Sequence, residues 1–341
     1  IHRYTLGRLR REIEPVEPRD FMRFLVDWQH AGPTSRLSGP DALANVLAQL
    51  EGFEAPAASW ESQILPARIE GYDLTWLDAL CQSGRMLWMR LRAHEGDAAR
   101  GPGSVRSTPI VLLQRRNRDL WTGLVDSGEC KLSSRAETVC TQLRERGALF
   151  FDELLRCTRL LEVQLEEALG ELVGAGLVHA DGFVGLRALL LPSAGRKRSR
   201  HSDRQRRGLY GIEDAGRWAL LRQPRTEAAV ETGVDAHRER VEAIARILLR
   251  RYGVVCWRLL GNEARWLPPW RELVRAWQRM EARGEIRGGR FIAGVSGEQF
   301  ALPEAIVGLR AVRKRASDGA LICVSGVDPL NQLGSLLTGS K

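Results

Sequence analysis

The chain has 341 residues, of which 44% are hydrophobic and 27% charged, a balance that predicts a soluble globular protein with two or three compact units. No apolar run approaches the roughly 20 residues that span a bilayer, and the six cysteines lack C-x-x-C spacing. We therefore expect no membrane helix, no zinc ribbon, and reduced thiols in a cytoplasmic protein. The net charge of +9 comes almost entirely from arginine, whose planar fork suits phosphates, although a GC-rich genome would produce the same bias.

The first segment, residues 1–38, is predicted to be basic and then helical. It opens with the letters "IHRYTLGRLRREIEPV", in which Arg3, Arg8 and Arg10 are the side chains expected to contact a nucleic-acid backbone. The alternative is a solvated linker that carries charge for solubility. The helix that follows places four apolar side chains on one face, which predicts a core position for each of them: Phe21, Phe24, Leu25 and Trp28.

Residues 39–95 are predicted to form a first winged-helix-like unit. Its first two helices are expected in "DALANVLAQLEGF" and "APAASWESQILPAR", and a third helix plus a strand in "YDLTWLDALCQSGRMLWMRL". Trp60 lies among small residues at the start of the second helix, which leave its indole free to project, although a core position is the commoner fate of a tryptophan. A projecting indole can stack on a base and contribute roughly 1–3 kcal/mol. The alternative is a tryptophan in the core or between domains.

Strand-like runs are predicted between and after the helical units. They are "STPIVLL" and "LWTGLV" within residues 105–132, "LRALLL" near residue 190, "GRWALLR" within 209–235, and "ALICVSG" within 304–341, a segment expected to hold a helix and a strand. These pieces are expected to close into a small β-barrel or sheet. Residues 193–208 are strongly basic without apolar periodicity, which predicts a mobile loop.

An internal repeat predicts two further winged-helix-like units, at residues 133–192 and 236–303. In each, an amphipathic helix with apolar residues at i, i+3, i+4 and i+7 ends at a glycine. A two-stranded wing is then expected, in "LVHADGFVGL" and in "EIRGGRFIAGV". Helices followed by a wing are the winged form of helix-turn-helix. The predicted fold class is α+β, with tandem winged-helix-like units packed around a small β-barrel or sheet.

The long helices of the two repeats differ in charge. In the last unit Arg271, Arg275 and Arg279 recur every four residues and are predicted to bind DNA. The corresponding helix of the middle unit carries Glu167 and Glu171, which would repel a phosphate backbone, so that unit is predicted to be scaffold. The alternative for the last helix is an arginine face neutralised by i,i+4 ion pairs.

Motifs for catalysis are absent from the sequence. No G-x-x-x-x-G-K-[ST] occurs and no strand ends in an Asp-Glu pair, so the chain does not contain a complete P-loop ATPase. H-E-x-x-H, G-x-S-x-G and zinc-deaminase motifs are also absent, and the six histidines form no ligand spacing. We expect no catalytic residue, cofactor site or metal site in this chain.

Several stretches resemble the large helicase-related (Lhr) family of bacterial superfamily 2 DNA helicases. The stretches are "IHRYTLGRLRREIEPV" with "DFMRFLVDWQH", "ASWESQILPARI", the long run "PWRELVRAWQRMEARGEIRGGRFIAGVSGEQFALPEA", and "VSGVDPLN". The resemblance covers nearly the whole chain. It implies the C-terminal module that follows two RecA-like motor domains and a winged-helix domain, with residues 1–38 joining the motor.

The resemblance also implies a function. Lhr-type helicases use ATP and Mg²⁺ in their motor domains to move 3′ to 5′ along single-stranded DNA. They unwind duplexes, including RNA–DNA hybrids, and are linked to DNA repair. The module would grip the tracking strand, with Trp60 stacked on a base so that ATP hydrolysis is coupled to movement. Expected partners are single-stranded DNA, duplex junctions and the chain's own motor domains, but no membrane. By itself the module should bind DNA weakly and hydrolyse no ATP.

Two other functions remain open at this stage. The module also resembles winged-helix DNA glycosylases that remove alkylated bases, which predicts base excision and an acidic residue in a pocket for the base. A non-catalytic scaffold for protein interactions is the third, and the acidic middle unit supports it.

Overall fold

The computed structural model describes residues 14–91, 105–125, 131–190, 212, 215–221, 233–316 and 319–337. The predicted contacts of Arg3, Arg8 and Arg10 lie outside the described residues, as does the basic segment 193–208.

Short helices and very short strands alternate along the chain. The helices are α1 (Pro18–Trp28), α2 (Pro40–Gln49), α3 (Ala57–Ser59), α4 (Leu65–Arg68), α5 (Leu74–Gln82), α6 (Arg118–Thr122), α7 (Ser134–Arg146), α8 (Phe151–Thr158), α9 (Glu162–Gly174), α10 (Phe183–Leu190), α11 (Val234–Tyr252), α12 (Trp270–Ala282) and α13 (Pro303–Lys314). The strands are β1 (Leu37–Ser38), β2 (Ala55–Pro56), β3 (Ile69–Glu70), β4 (Met86–Met89), β5 (Pro109–Gln114), β6 (Leu149–Phe150), β7 (Val178–Ala180), β8 (Arg217–Leu220), β9 (Val254–Val255), β10 (Arg287–Gly289) and β11 (Gln299–Ala301). A π-helical turn, Trp60–Ile64, joins α3 to α4, and 3₁₀ turns lie at Val105–Ser107, Arg115–Asn117 and Leu259–Asn262.

The same order of elements occurs three times. A helix, a short strand, a helical segment, a further helix and two more strands occur in this order, starting at α2, at α7 and at α11. The first copy has the additional strand β3 before its last helix, and the second has helix α10 between its last two strands. Each copy has a three-stranded antiparallel sheet in which its last strand lies in the middle: β2-β5-β4, β6-β8-β7 and β9-β11-β10. This is the winged-helix topology, so the predicted tandem winged helices are confirmed.

The sheets correct the expected barrel. Among the described residues the strands form three separate three-stranded sheets and one parallel pair, β1 with β3. No sheet in that part of the chain closes on itself. A barrel needs strands that tilt and pair continuously around an axis, and strands of two to six residues that are divided among separate winged helices cannot supply that pairing.

Some strand predictions were wrong. "LWTGLV" begins inside helix α6, residues 186–190 of "LRALLL" belong to helix α10, and "ALICVSG" contains no strand over its residues 320–326. The wings also close differently from the prediction, because β7 and β10 pair with the later strands β8 and β11 rather than with the residues that directly follow them. A short apolar run does not distinguish a buried helix from a strand, and α10 is buried along most of its length.

The described residues divide into two compact units. One comprises residues within 1–50, 63–70 and 230–341. In it α1 packs against α13, and α11 packs against α12. Trp277 is fully buried in this unit, its ring centroid lies 5.6 Å from that of Phe300, and its indole N–H donates to the carbonyl of Ala245 at 3.1 Å.

The other unit comprises residues within 51–62 and 71–229. Its core is built on the β4–β5 pairing and on the packing of α7 against α9. Trp88 is fully buried and makes edge-to-face contacts with Phe183 and Trp218, with ring centroids 6.5 and 6.4 Å away. Such aromatic pairs stabilise a core beyond the area that they bury.

Candidate nucleic-acid interface

Helix α12 is the third, recognition-type helix of the last winged helix. Its apolar face is buried as the spacing predicted, at Leu273, Ala276, Trp277 and Met280. Arg283 follows the last helical residue, and Gly284 then adopts a φ of +80°, which lets the chain turn into β10. Because the apolar face is fixed against the core, the opposite face of α12 is directed to solvent.

The arginines on that solvent face divide into two groups. Arg271 and Arg275 are exposed, and neither forms an ion pair with another described residue. Arg279 lies 3.7 Å from the Glu242 carboxylate, and Arg283 donates to Glu242 at 2.6 Å. The first half of the helix therefore presents unpaired positive charge, and the second half is largely neutralised.

The neutralising network connects α12 to α11 and includes one i,i+4 pair along α11. Glu242 on α11 accepts from Arg283 on one side and pairs with Arg246 at 2.9 Å on the other, and Arg246 also donates to Glu285 at 2.8 Å. Partial burial would raise the pKa of Glu242, but these hydrogen bonds and charges outweigh it and hold the pKa below its ordinary value. The alternative prediction was that i,i+4 ion pairs within the helix neutralise its arginines. In the structure Arg279 and Arg283 pair instead with Glu242 of a different helix.

The wing between β10 and β11 is held by a buried glutamine. Gln299 is 1% exposed, and its side-chain oxygen accepts from the backbone N–H groups of Phe291 and Ile292 at 2.8 and 2.9 Å. Its amide nitrogen donates to the carbonyls of Ile292 and Val295 at 3.2 and 3.0 Å. Every polar atom of the side chain is therefore used, and the wing is fixed to its own strand.

Trp60, the predicted stacking residue, is fully buried. Its indole N–H points to the carbonyl of Ile110 at 3.4 Å, and Ala57 beside it is also buried. The small neighbours thus accompany a buried ring rather than freeing it to project. A base can stack only on an open ring face, so contact between Trp60 and a base requires the ring to be uncovered, and that contact stays a prediction.

Trp257 was not singled out in the sequence, yet it is 49% exposed. It lies two residues after β9, next to Arg258, whose guanidinium carbon is 5.7 Å from the centroid of the indole ring. The sequence feature that could have identified Trp257 is the Trp-Arg dipeptide, which follows a buried two-residue strand and fits no apolar periodicity.

The middle winged helix presents acidic side chains instead. On α9, Glu167 pairs with Arg135 at 3.1 Å, and the Glu171 carboxylate accepts from the backbone N–H and the hydroxyl of Ser133, each at 2.6 Å. Exposed apolar side chains stand near the start of the same helix, at Leu161 and Val163. Because Glu167 is paired with Arg135, the negative charge that would repel a polyanion here comes from Glu171, and the scaffold role of the middle copy stays a prediction.

The first compact unit also contains a pocket of about 690 Å³. It is lined by aromatic rings, polar side chains and charges, among them Phe24, Trp28, Asp27, Gln49 and Arg315. Asp27 accepts from Arg315 at 2.8 Å, and the indole N–H of Trp28 donates to a backbone carbonyl of α11 at 3.0 Å. An aromatic wall with a carboxylate beside it suits a planar, polar ligand.

Among the described residues no group of three or more His, Cys, Asp or Glu side chains could hold a metal ion. Within the same ranges no helix combines the length and the apolar character needed to cross a membrane.

Comparison with known proteins gives two matches to family models. Both models are described as a winged-helix domain of the large helicase-related protein; they represent its third and fourth such domains and match residues 16–114 and 234–321. Together they cover more than half of the chain, and they include the first and the last of the three winged helices.

Whole-protein comparisons extend the similarity over the chain. The "Lhr helicase/probable uracil glycosylase" of Mycolicibacterium smegmatis is 29% identical over 365 residues, which cover 99% of this chain and 22% of that protein. The "Lhr helicase/uracil glycosylase" of Escherichia coli is 29% identical over 374 residues, covering 98% and 23%. The chain thus spans less than a quarter of the length of these relatives. Among solved structures, the DNA glycosylase AlkZ of Streptomyces sahachiroi aligns with a TM-score of 0.46 and 16% identity, over 94% of this chain and 78% of that one.

Proposed function

The chain belongs to the large helicase-related family, and from this premise we propose that it is the DNA-binding C-terminal module of an ATP-dependent 3′–5′ DNA helicase. In this proposal it grips the tracking single strand while motor domains elsewhere in the protein bind ATP and Mg²⁺ and generate movement. Its partners would be single-stranded DNA, DNA or RNA–DNA duplex junctions and the RecA-like and winged-helix domains of its own protein, and its setting would be DNA repair in the bacterial cytoplasm.

The observation that carries the proposal is the unpaired charge of α12. Arg271 and Arg275 are exposed on the recognition-type helix, with no ion pair to any described residue, while Arg279 and Arg283 both pair with Glu242 and Arg283 also pairs with Glu285. Arginines free of acidic partners keep their full attraction for phosphates, and phosphate contacts carry no sequence information. A motor that moves along any sequence needs a grip of this kind.

The division between free and paired arginines provides a matched experiment. We expect the double substitution Arg271→Ala/Arg275→Ala to weaken binding of the chain to single-stranded DNA and to reduce the slope of log K against log salt by about 1.4, at about 0.7 per phosphate contact. The control is Arg279→Ala/Arg283→Ala, which removes the same formal charge from the neutralised half and should change the slope less. Fluorescence anisotropy over a salt series measures both. Equal slopes for the two double variants, or binding that salt does not affect, would contradict the proposal.

Base excision is the second candidate. The names of the two relatives include uracil glycosylase. The pocket beside Trp28 has an aromatic wall with the Asp27 carboxylate at its edge. A base turned out of the strand could enter a pocket of this size and chemistry. Incubation with uracil-containing single-stranded DNA, followed by alkaline cleavage of abasic sites, tests it. Excision by the wild-type chain that Asp27→Asn abolishes supports this candidate, and an absence of excision by the wild type removes it.

A further inference from the structure

Trp257 is the exception among the tryptophans of this protein. All ten lie among the described residues, and only Trp257 belongs to those with a largely exposed side chain. The residues around it are fixed, because Cys256 before it and Leu259 after it are fully buried. The sequence thus holds a large, rigid aromatic ring in solvent on an anchored piece of backbone.

The wing lies beside this ring. A side chain added at Gly297 would place its Cβ 3.7 Å from Cδ1 of the indole, so the backbone of the wing runs along the edge of Trp257. Gly297 has a φ of +88°, a conformation that favours glycine. Since Gln299 fastens the wing through four hydrogen bonds, the ring and the wing keep a defined relation to each other.

The wing end of the last winged helix, where Trp257 lies, is also close to the unpaired arginines of α12. Residue 298, at the wing end of β11, lies beside α12, because Gln278 donates to the Glu298 carboxylate at 3.2 and 3.1 Å. Arg275 and Arg271 precede Gln278 by three and seven residues, so they lie on the same side of α12 as this contact. Strand β9 pairs antiparallel with β11, which places Trp257 at that end too.

Positive charge is in excess on the surface of the last winged helix. Six of its arginines form no ion pair with any described residue: Arg258, Arg265, Arg271, Arg275, Arg287 and Arg290. Two carboxylates lie among them, Glu272, which contacts His237 at 2.8 Å, and Glu298, which accepts from Gln278 at 3.1 Å, so the arginines outnumber the carboxylates. An open indole within such a cationic surface combines the two features that bind unpaired nucleic acid, a stacking face and a phosphate track.

We propose that Trp257 is a stacking platform for one base of single-stranded nucleic acid, with Arg258 and the wing arginine Arg290 holding the phosphates on either side. The inference rests on the proposed DNA-binding function and adds the residue that distinguishes an unpaired strand from a duplex. Bases within a duplex are stacked on one another and cannot cover an indole, whereas a single strand offers an open base face. Stacking accepts every base, so the platform needs no sequence preference.

The experiment uses two probes of equal length and charge, a fluorescein-labelled oligothymidylate and the same backbone built from abasic sites. Trp257→Ala should weaken binding of the oligothymidylate by roughly 5- to 150-fold and leave binding of the abasic probe nearly unchanged. Trp257→Phe, which keeps an aromatic face, should recover most of the loss. The variant Arg271→Ala/Arg275→Ala should weaken both probes alike. Because about half of the Trp257 side chain is buried, urea denaturation of each variant checks that it is folded under the conditions of the binding measurement.

The outcomes separate this inference from the function on which it rests. If Trp257→Ala binds both probes like the wild type, or weakens both equally, the stacking platform is overturned while DNA binding stands. An exposed tryptophan that serves a protein partner would give the first of these results. If the wild type binds neither probe in a salt-sensitive way, the proposed function itself fails.

Discussion

A tryptophan can serve a winged helix from inside or from its surface, and burial separates the two roles. Trp60 is fully buried with its N–H directed at a backbone carbonyl, whereas Trp257 is about half exposed beside an arginine. The Trp60 ring is part of the core, where burying an aromatic side chain stabilises the fold by about 1.5–3 kcal/mol. The Trp257 ring has an open face for a partner.

This difference predicts how substitution of Trp60 acts. Trp60→Ala should lower the free energy of unfolding by about 3–5 kcal/mol, because the lost burial is combined with the cost of the cavity. Trp60→Phe keeps most of the volume and should cost clearly less. Urea denaturation, with the slope compared between variants, measures both. If Trp60→Ala unfolds like the wild type while its DNA affinity falls, the residue is a contact rather than part of the core.

For the residues of α12, the sequence predicted which side chains are buried better than it predicted which charged side chains form ion pairs. The 3.6-residue periodicity placed Leu273 and Met280 correctly on the inner face of α12, since periodicity is a local property of the helix. It could not show that Arg279 is neutralised and Arg275 free, because the carboxylate that decides this belongs to Glu242, on a different helix. Trp257 was missed for a related reason, since its exposure depends on where the wing passes.

At the scale of elements, the wing depends on one side chain. Gln299 satisfies two backbone N–H groups and two backbone carbonyls of the wing from a buried position. Leaving a buried polar group without a partner costs about 1–3 kcal/mol. Local relaxation lets some of the four groups reach water, so the total penalty is smaller than four times that cost.

Gln299→Leu should therefore reduce the free energy of unfolding by about 2–4 kcal/mol. The matched control is Gln278→Leu, which removes an exposed glutamine that bonds only to Glu298 and should cost less than about 0.5 kcal/mol. Urea denaturation of both variants provides the comparison. A similar cost for the two substitutions would show that the network around Gln299 does not hold the wing.

The partners of the wing strands lay beyond what the sequence could show. Each wing was predicted as a hairpin of neighbouring residues, yet β7 pairs with β8 across helix α10, and β10 pairs with β11 across the loop that Gln299 holds. Helix α10 reads as a strand because its run of apolar residues has no alternation, and burial on nearly all sides removes the helical period as well. The helices with one buried face were the elements that local pattern could identify.

Over the whole molecule, two winged helices of the same topology have surfaces of opposite charge. The last winged helix presents free arginines on its recognition-type helix, and the middle one presents Glu167 and Glu171 at the same structural position. In the proposed function the last copy is the binding surface and the middle copy a support, because arginines attract a polyanion and carboxylates repel it. The copies share one fold and differ in the charge of their surfaces.

Each compact unit also contains one histidine whose environment favours the neutral ring. Burial lowers the pKa of His30 in the first unit, opposed by its hydrogen bond to the Ser35 carbonyl and reinforced by Arg68. Burial likewise lowers the pKa of His179 in the second, where Arg115 and Arg118 act in the same direction. In both cases the pKa of the ring is lower in the folded chain than in the unfolded chain, where it is near 6.5.

The sign of the pH dependence follows from this. Below pH 6.5 the unfolded chain binds more protons than the folded one, so the free energy of unfolding of both units should fall as the pH is lowered from 7 to 5. His30→Asn combined with His179→Gln removes both titrating rings, and asparagine tolerates the φ of +59° at position 30. Urea denaturation at the two pH values should show a smaller fall for the double variant than for the wild type, because the carboxylates that also titrate there are common to both chains. An equal fall in the two chains would mean that neither ring is kept neutral by its surroundings.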